Sequence, residues 1–124
     1  MTKKKTFKSR TGEAVIKPWG REDIIEHNER YTIKLLTIDP GQRMSLQYHE
    51  SKTETIFVKE GTLINYLDST DNVYQLYMCG SWCHVETGQV HRFAADSEKV
   101  VLIECSTSEL DDVVRLADDY SRSE

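Results

Sequence analysis

Eight short runs recur along this 124-residue chain: DIIEH, YTIKLLTI, RMSLQYH, ETIFVK, TLINYL, VYQLYM, HRFAA and VVLIEC. They are rich in Ile, Val, Tyr, Phe and Thr, and several alternate apolar with polar residues, as half-buried strands do. The separators DPGQ, KEGT, DSTDN, CGS, ETGQ and ADSE supply turn residues. Many short strands at close spacing predict an antiparallel sandwich or small barrel. Only SELDDVVRLADDY departs from this pattern. Ser108 is placed to cap a helix, and Leu110, Val113, Val114 and Ala117 recur at helical spacing. The expected fold is therefore all-β, one domain over residues 13–124, with a short C-terminal helix or turn. Residues 1–12, with five basic side chains in KKKTFKSR, are expected to form a flexible basic tail.

Charge and composition exclude some functions. A formal net charge of −5 argues against nucleic-acid binding, which needs a clustered basic surface. No apolar run follows the basic tail, so no secretory signal is expected, and no stretch is long enough for a membrane helix. Cys79, Cys83 and Cys105 are odd in number, which fits reduced thiols and a cytoplasmic location. No nucleophile elbow, phosphate loop or dinucleotide fingerprint is present.

The chemistry concentrates in two segments. Alternate side chains of a strand share a face, so Gln47 and His49 point together, with Arg43 and Ser45 beside them. Met44, Leu46 and Tyr48 fill the opposite face. Glu54 follows the polar corner ESKT and can return a carboxylate toward His49, while Gly61 permits a tight turn. Downstream, GSWCHVETGQVHRF reads as a second hairpin turning at Thr87–Gly88, with His91 opening the next strand. If the two hairpins face each other across a barrel, Gln47, His49, Glu54 and His91 converge on a site for a divalent transition ion. The competing reading is a solvated hairpin with an ordinary surface histidine. Cys79, Cys83 and His84 lack a matching cysteine pair and read as core or exposed thiols. Trp19 and Trp82 suit either core packing or stacking on a sugar.

The spacing resembles the two motifs of the cupin superfamily. Gly41, five residues, Gln47, one residue, His49, four residues, Glu54, six residues and Gly61 follow the first, with Gln47 at the usual first His. Gly80, five residues, Glu86-Thr87-Gly88, two residues and His91 follow the second, with Glu86 for Pro and Ala95 for Asn. KPWG, PGQRMSLQYH and DVVRLADDYSR further resemble the type II phosphomannose isomerase cupins, in which a Gln at the first ligand position is expected. These cupins usually form the C-terminal part of mannose-1-phosphate guanylyltransferases. The nucleotidyltransferase domain is not within these 124 residues, so guanylyltransferase activity is not expected of them. ESKTETI stands where that family commonly reads HHRAEHW.

The resemblance implies a single jelly-roll, or double-stranded β-helix, barrel. It implies a divalent metal, foremost Zn2+ with Fe2+, Mn2+, Co2+ or Ni2+ as alternatives, held by Gln47, His49, Glu54 and His91. It implies interconversion of mannose 6-phosphate and fructose 6-phosphate through an enediol, a sugar-phosphate partner and a homodimer. Lys34, mid-strand in YTIKLLTI, and Lys52, at the corner, are the candidate catalytic cations. The proton-transfer base is open between Lys34, Lys52 and a metal-bound hydroxide, and a lysine base would need a lowered pKa. Arg43, Ser45, Arg115, Arg122 and Trp19 are candidate substrate contacts, the arginines because a guanidinium suits a phosphate. Two other function classes remain: a metal-dependent oxygenase or other small-molecule cupin enzyme, and a cupin that binds a sugar or metabolite without turnover.

Overall fold

A computed structural model describes residues 12–122. The expected tail therefore lies, except for Gly12, outside the described residues. Eleven strands follow in chain order: β1 (Glu13–Lys17), β2 (Gly20–His27), β3 (Thr32–Ile38), β4 (Leu46–Tyr48), β5 (Glu54–Glu60) and β6 (Leu63–Tyr66), then β7 (Tyr74–Tyr77), β8 (Trp82–Val85), β9 (Arg92–Ala94), β10 (Val100–Ser106) and β11 (Val114–Ala117). One layer is a six-stranded sheet in the order β1-β2-β3-β10-β5-β8. The other joins β7-β6-β9 to β4-β11 through the isolated bridges Arg43↔Ala94 and Gln47↔His91. The pairings between strands are antiparallel, and the two layers form the double-stranded β-helix barrel expected from the sequence.

Strict alternation builds the inner face. In β3, Thr32, Lys34, Leu36 and Ile38 are buried while Ile33, Leu35 and Thr37 between them are only partly covered. The register of β3, β10 and β5 places Leu36, Leu102 and Val58 in one inward row, beneath Ile38 and Val100 in the next. Trp19, Leu63, Val85 and Phe93 pack against them. Each such side chain contributes about 1.5–3 kcal/mol by leaving water. Two glycines are fixed by close approach. At Gly20 (φ 154) and Gly61 (φ 81) a Cβ would collide with the carbonyl oxygens of Thr37 and Lys99.

Three expectations are corrected. No helix occurs among the described residues; the expected C-terminal helix is strand β11, paired with β4 through Val114↔Tyr48 and Arg115↔Gln47. A helix this short is marginal alone, whereas adjacent Val113 and Val114 favour extended chain and β4 offers an open edge. Neither chemistry-bearing segment is a hairpin. β4 sits between β9 and β11 while β5 sits between β10 and β8, so the corner after His49 carries the chain from one layer to the other. The Thr87–Gly88 turn does the same, because β8 pairs with β5 and β9 with β6. Finally, β1, from EAVIK, adds an edge strand that its weak alternation did not announce.

Candidate metal centre

The layer-crossing corners bring three ligand atoms together inside the barrel. His49, Glu54 and His91 each offer one donor, all within 4.8 Å of one another, and all three residues are buried. The backbones of Gln47 and His91 exchange two hydrogen bonds, 3.0 and 2.9 Å, so the first and second segments lie side by side. Ser45 Oγ donates to Gln47 Oε1 at 2.6 Å, fixing that amide at the cavity wall.

The protonation logic of the two histidines favours a cation. Nδ1 of His49 donates to the Asp112 carbonyl and Nδ1 of His91 to the Gln89 carbonyl, because a carbonyl can only accept. With that proton at Nδ1, the Nε2 atom of each ring is the one turned inward, free to offer its lone pair to a cation. His49 Nε2 lies 2.8 Å and His91 Nε2 3.5 Å from the same oxygen, Glu54 Oε2. His91 Nε2 is buried without a hydrogen-bond partner among the described residues. Three acceptors facing one another in a buried space repel unless a proton or a metal ion stands between them. The donor set of two imidazoles and a carboxylate suits a divalent transition ion. Burial alone would push the Glu54 carboxyl up. A proton on the imidazole nitrogens beside it, standing where a metal would, and the nearby Lys52 ammonium outweigh that and hold it well below the carboxylate range.

The centre opens into a cavity of about 360 Å3. Two ion pairs line its wall: Lys34 Nζ to Oε1 of the half-buried Glu22 at 3.1 Å, and the buried Lys52 Nζ to Glu104 Oε2 at 2.9 Å. Lys52 also stands 4.0 Å from Glu54 Oε1, so it bridges the pair to the metal ligand. Burial would lower the Lys52 pKa, but Glu104 and Glu54 outweigh it and raise the group well above its ordinary value. Leu110, Asp111, Asp112, Val113 and Arg115 from the C-terminal segment complete the mouth.

Residues 4–118 match the family model described as mannose-6-phosphate isomerase C-terminal. The chain belongs to that family. It is a cupin domain of the mannose-phosphate isomerase type. A mannose-1-phosphate guanylyltransferase of Escherichia coli K12 is 30% identical over 120 residues, covering 91% of this chain and 24% of the relative. The alginate biosynthesis protein AlgA of Pseudomonas aeruginosa is 32% identical over 113 residues, covering 88% and 23%. The chain spans about a quarter of the length of these curated relatives. Among solved structures, a Klebsiella pneumoniae protein with a double-stranded β-helix domain superposes with a TM-score of 0.68 at 14% identity, covering 89% of each chain. The oxalate decarboxylase of Lactobacillus farciminis gives 0.68 at 14% identity, covering 84% of this chain and 33% of that one. Such identities speak for the fold.

Most residues singled out in the sequence face this isomerase-type cupin's cavity. Gln47, His49, Glu54, His91, Lys34, Lys52, Arg115, Arg122 and Trp19 all line it. Trp19 is also 97% buried in the core cluster, where its ring forms floor as much as wall (3% exposed). Arg122 is held by Asp118 through two contacts of 2.9 Å. Two residues are placed elsewhere. Arg43 lies outside the lining, its guanidinium bound to Asp119 at 2.7 Å and Asp71 at 3.0 Å and lying over the Tyr66 ring. Strand β4 begins only at Leu46, so the alternation that put Arg43 beside His49 does not extend that far. Met44 joins the cavity lining instead. Ser45 is fully buried behind Gln47 and supports it. The upward shift of Lys52 also runs against the lowered pKa a lysine base needs.

Sequence reasoning missed Glu22, Glu104 and Asp112. Glu22 and Glu104 were readable, since each alternates with a core residue of its strand, Ile24 and Leu102. Asp112 had no local signal, because its partners lie about sixty residues upstream.

Proposed function

We propose that this cupin domain isomerises an aldose phosphate to its ketose, mannose 6-phosphate to fructose 6-phosphate, with a divalent ion, foremost Zn2+, at Gln47, His49, Glu54 and His91. The observation that supports this most is one buried chamber holding both the three-acceptor centre and two Lys–Glu pairs. Its volume falls within the roughly 300–1,000 Å3 of small-molecule sites. A bound metal supplies a Lewis acid that polarises the sugar's carbonyl and hydroxyl oxygens. The chain's own residues do the rest. The Glu104 carboxylate, buried against Lys52, takes the proton from the carbon beside the carbonyl and returns it to the former carbonyl carbon, while the hydroxyl proton passes to the former carbonyl oxygen through the enediol. Lys52, kept protonated, donates to a substrate oxygen as negative charge develops there. Lys34 does the same from β3, in register with Glu104 and steadied by Glu22. Arg115 and Arg122 at the mouth receive the phosphate.

The homodimer contact is assigned to the outer face of the six-stranded sheet. Leu35, Ile103, Phe57 and Trp82 form one register row across four strands there. Phe57 and Trp82 are 41% and 68% exposed, and the Arg21–Asp23 and His84–Glu86 pairs form a polar rim. Trp82→Asp should shift self-association toward monomer in light scattering after gel filtration.

The function itself is tested by metal analysis and a mannose 6-phosphate isomerase assay with and without chelator. Bound Zn2+ with chelator-sensitive turnover supports it. Iron with oxygen uptake would favour the oxygenase reading. Full metal occupancy without turnover, and a Gln47→Ala variant indistinguishable from wild type, would leave a binding cupin.

A further inference from the structure

The corner between the two ligands of the first segment, His49 to Glu54, is held from outside along its whole backbone. Asp112 Oδ1 accepts Glu50 N at 3.0 Å, and Oδ2 accepts Ser51 N at 2.8 Å and Lys52 N at 2.9 Å. Thr87 Oγ1 donates toward the Ser51 and Lys52 carbonyls, and Gly88 N donates to the His49 carbonyl. Thr107 accepts Thr53 N on its hydroxyl and donates its own N–H to the Thr53 carbonyl. The side chains of Glu50 and Ser51 take no part in this support and are exposed. One residue also reaches a ligand: the Asp112 carbonyl receives Nδ1–H of His49.

From this geometry we infer that Asp112 is the positioning residue of the metal centre, setting the His49 ring and the Glu50–Lys52 backbone with its carbonyl and carboxylate together. The inference rests on the metal-centre reading above. A ligand histidine keeps its Nε2 lone pair on the ion only while an acceptor holds the proton at Nδ1. Here that acceptor is a backbone carbonyl, so its place depends on where the Asp112 carboxylate anchors its chain. The same anchor fixes the departure point of Lys52 and the approach of Glu54. It also explains how ESKT can occupy this corner: the conformation is imposed by bonds to backbone N–H groups, which every non-proline residue possesses.

The test is Co2+ binding to the full chain, followed through the ion's visible absorption, for wild type, Asp112→Ala, Asp112→Asn and the control Asp119→Asn. Asp119 anchors the same C-terminal segment to Arg43 without touching the corner. Asp112→Ala should weaken Co2+ about 10- to 100-fold and change the band shape, as loss of an outer partner does. Asp112→Asn keeps one acceptor oxygen and should lie between it and wild type; if the alanine variant does not fold, the asparagine variant carries the same expectation at about tenfold. Asp119→Asn should bind as wild type. Unchanged affinity and bands in the Asp112 variants, or an equal loss in Asp119→Asn, would overturn the assignment. If wild type binds no Co2+, the metal-centre reading fails on its own, and 15N spectra of His49 decide this one. A single Nδ1–H tautomer in wild type that becomes mixed in Asp112→Ala supports it, and an unchanged spectrum refutes it.

Discussion

Along β3, β10 and β5 the inward positions change character within a few residues. At one end the rows read Ile38–Val100 and Leu36–Leu102–Val58; at the other they read Lys34–Glu104–Ile56 and Thr32–Ser106–Glu54, with Ile56 the one apolar member. Both ends are buried to the same degree, with Leu102 at 0% and Glu104 at 4% exposure. The apolar rows gain free energy by leaving water. The polar rows lose hydration, and each charge recovers it only through its partner. One scaffold thus carries a stabilising half and a half whose buried charges line the cavity, the half to which the proposed function assigns the chemistry.

Substitutions that exchange the two behaviours would break this contrast. The largest effect is expected from Glu54→Gln, which removes the carboxylate facing both imidazoles. Metal-dependent turnover should fall at least about a thousandfold, since a bound metal supplies several kcal/mol of charge stabilisation. Metal content and initial rates measure this, and wild-type turnover would contradict it. In the apolar half, Leu102→Ala should cost about 2–5 kcal/mol in denaturant unfolding while leaving metal affinity close to wild type. Removing Lys52 alone should destabilise by about 3–5 kcal/mol, because Glu104 is left buried and uncompensated. Replacing the pair together, Lys52→Met with Glu104→Leu, should restore stability to wild type or above while abolishing turnover. A double variant as unstable as the single one would show that the pair contributes to the fold rather than to chemistry.

The smallest expected effect is at the rim. Asp118, hydrogen-bonded by Arg122, has its carboxyl pulled from an ordinary 3.8 down to about 2. A depressed folded-state pKa contributes stability above the unfolded value and loses it as pH falls through the folded one. Unfolding midpoints should therefore decline between about pH 4 and pH 2, and Asp118→Asn should flatten that limb.

Much of this was legible in the sequence because it is periodic. Alternation located most strands and turned Lys34 inward, and the joint spacing of two segments brought His49, Glu54 and His91 to one place. Periodicity misled where a strand was shorter than its pattern: Arg43 follows the alternation of β4 but lies before the strand's start at Leu46, joined to Ala94 only by an isolated bridge. It misled again at Leu110–Ala117, where four apolar positions fit a helix and the open edge of β4 decided for a strand. Layer-crossing connections carry no signal of their own, since a corner and a hairpin use the same turn residues. Asp112 was beyond reach for a similar reason: its role depends on where strand β11 docks, which is settled by tertiary pairing.

The most direct measurement is a titration of metal-free protein with Zn2+ while following mannose 6-phosphate turnover. Activity should rise in proportion to occupancy, reach its limit near about one ion per chain, and vanish on adding chelator. A chain fully loaded with metal that leaves mannose 6-phosphate unchanged, or turnover indifferent to chelator, would contradict the assignment of the polar half of this barrel to catalysis.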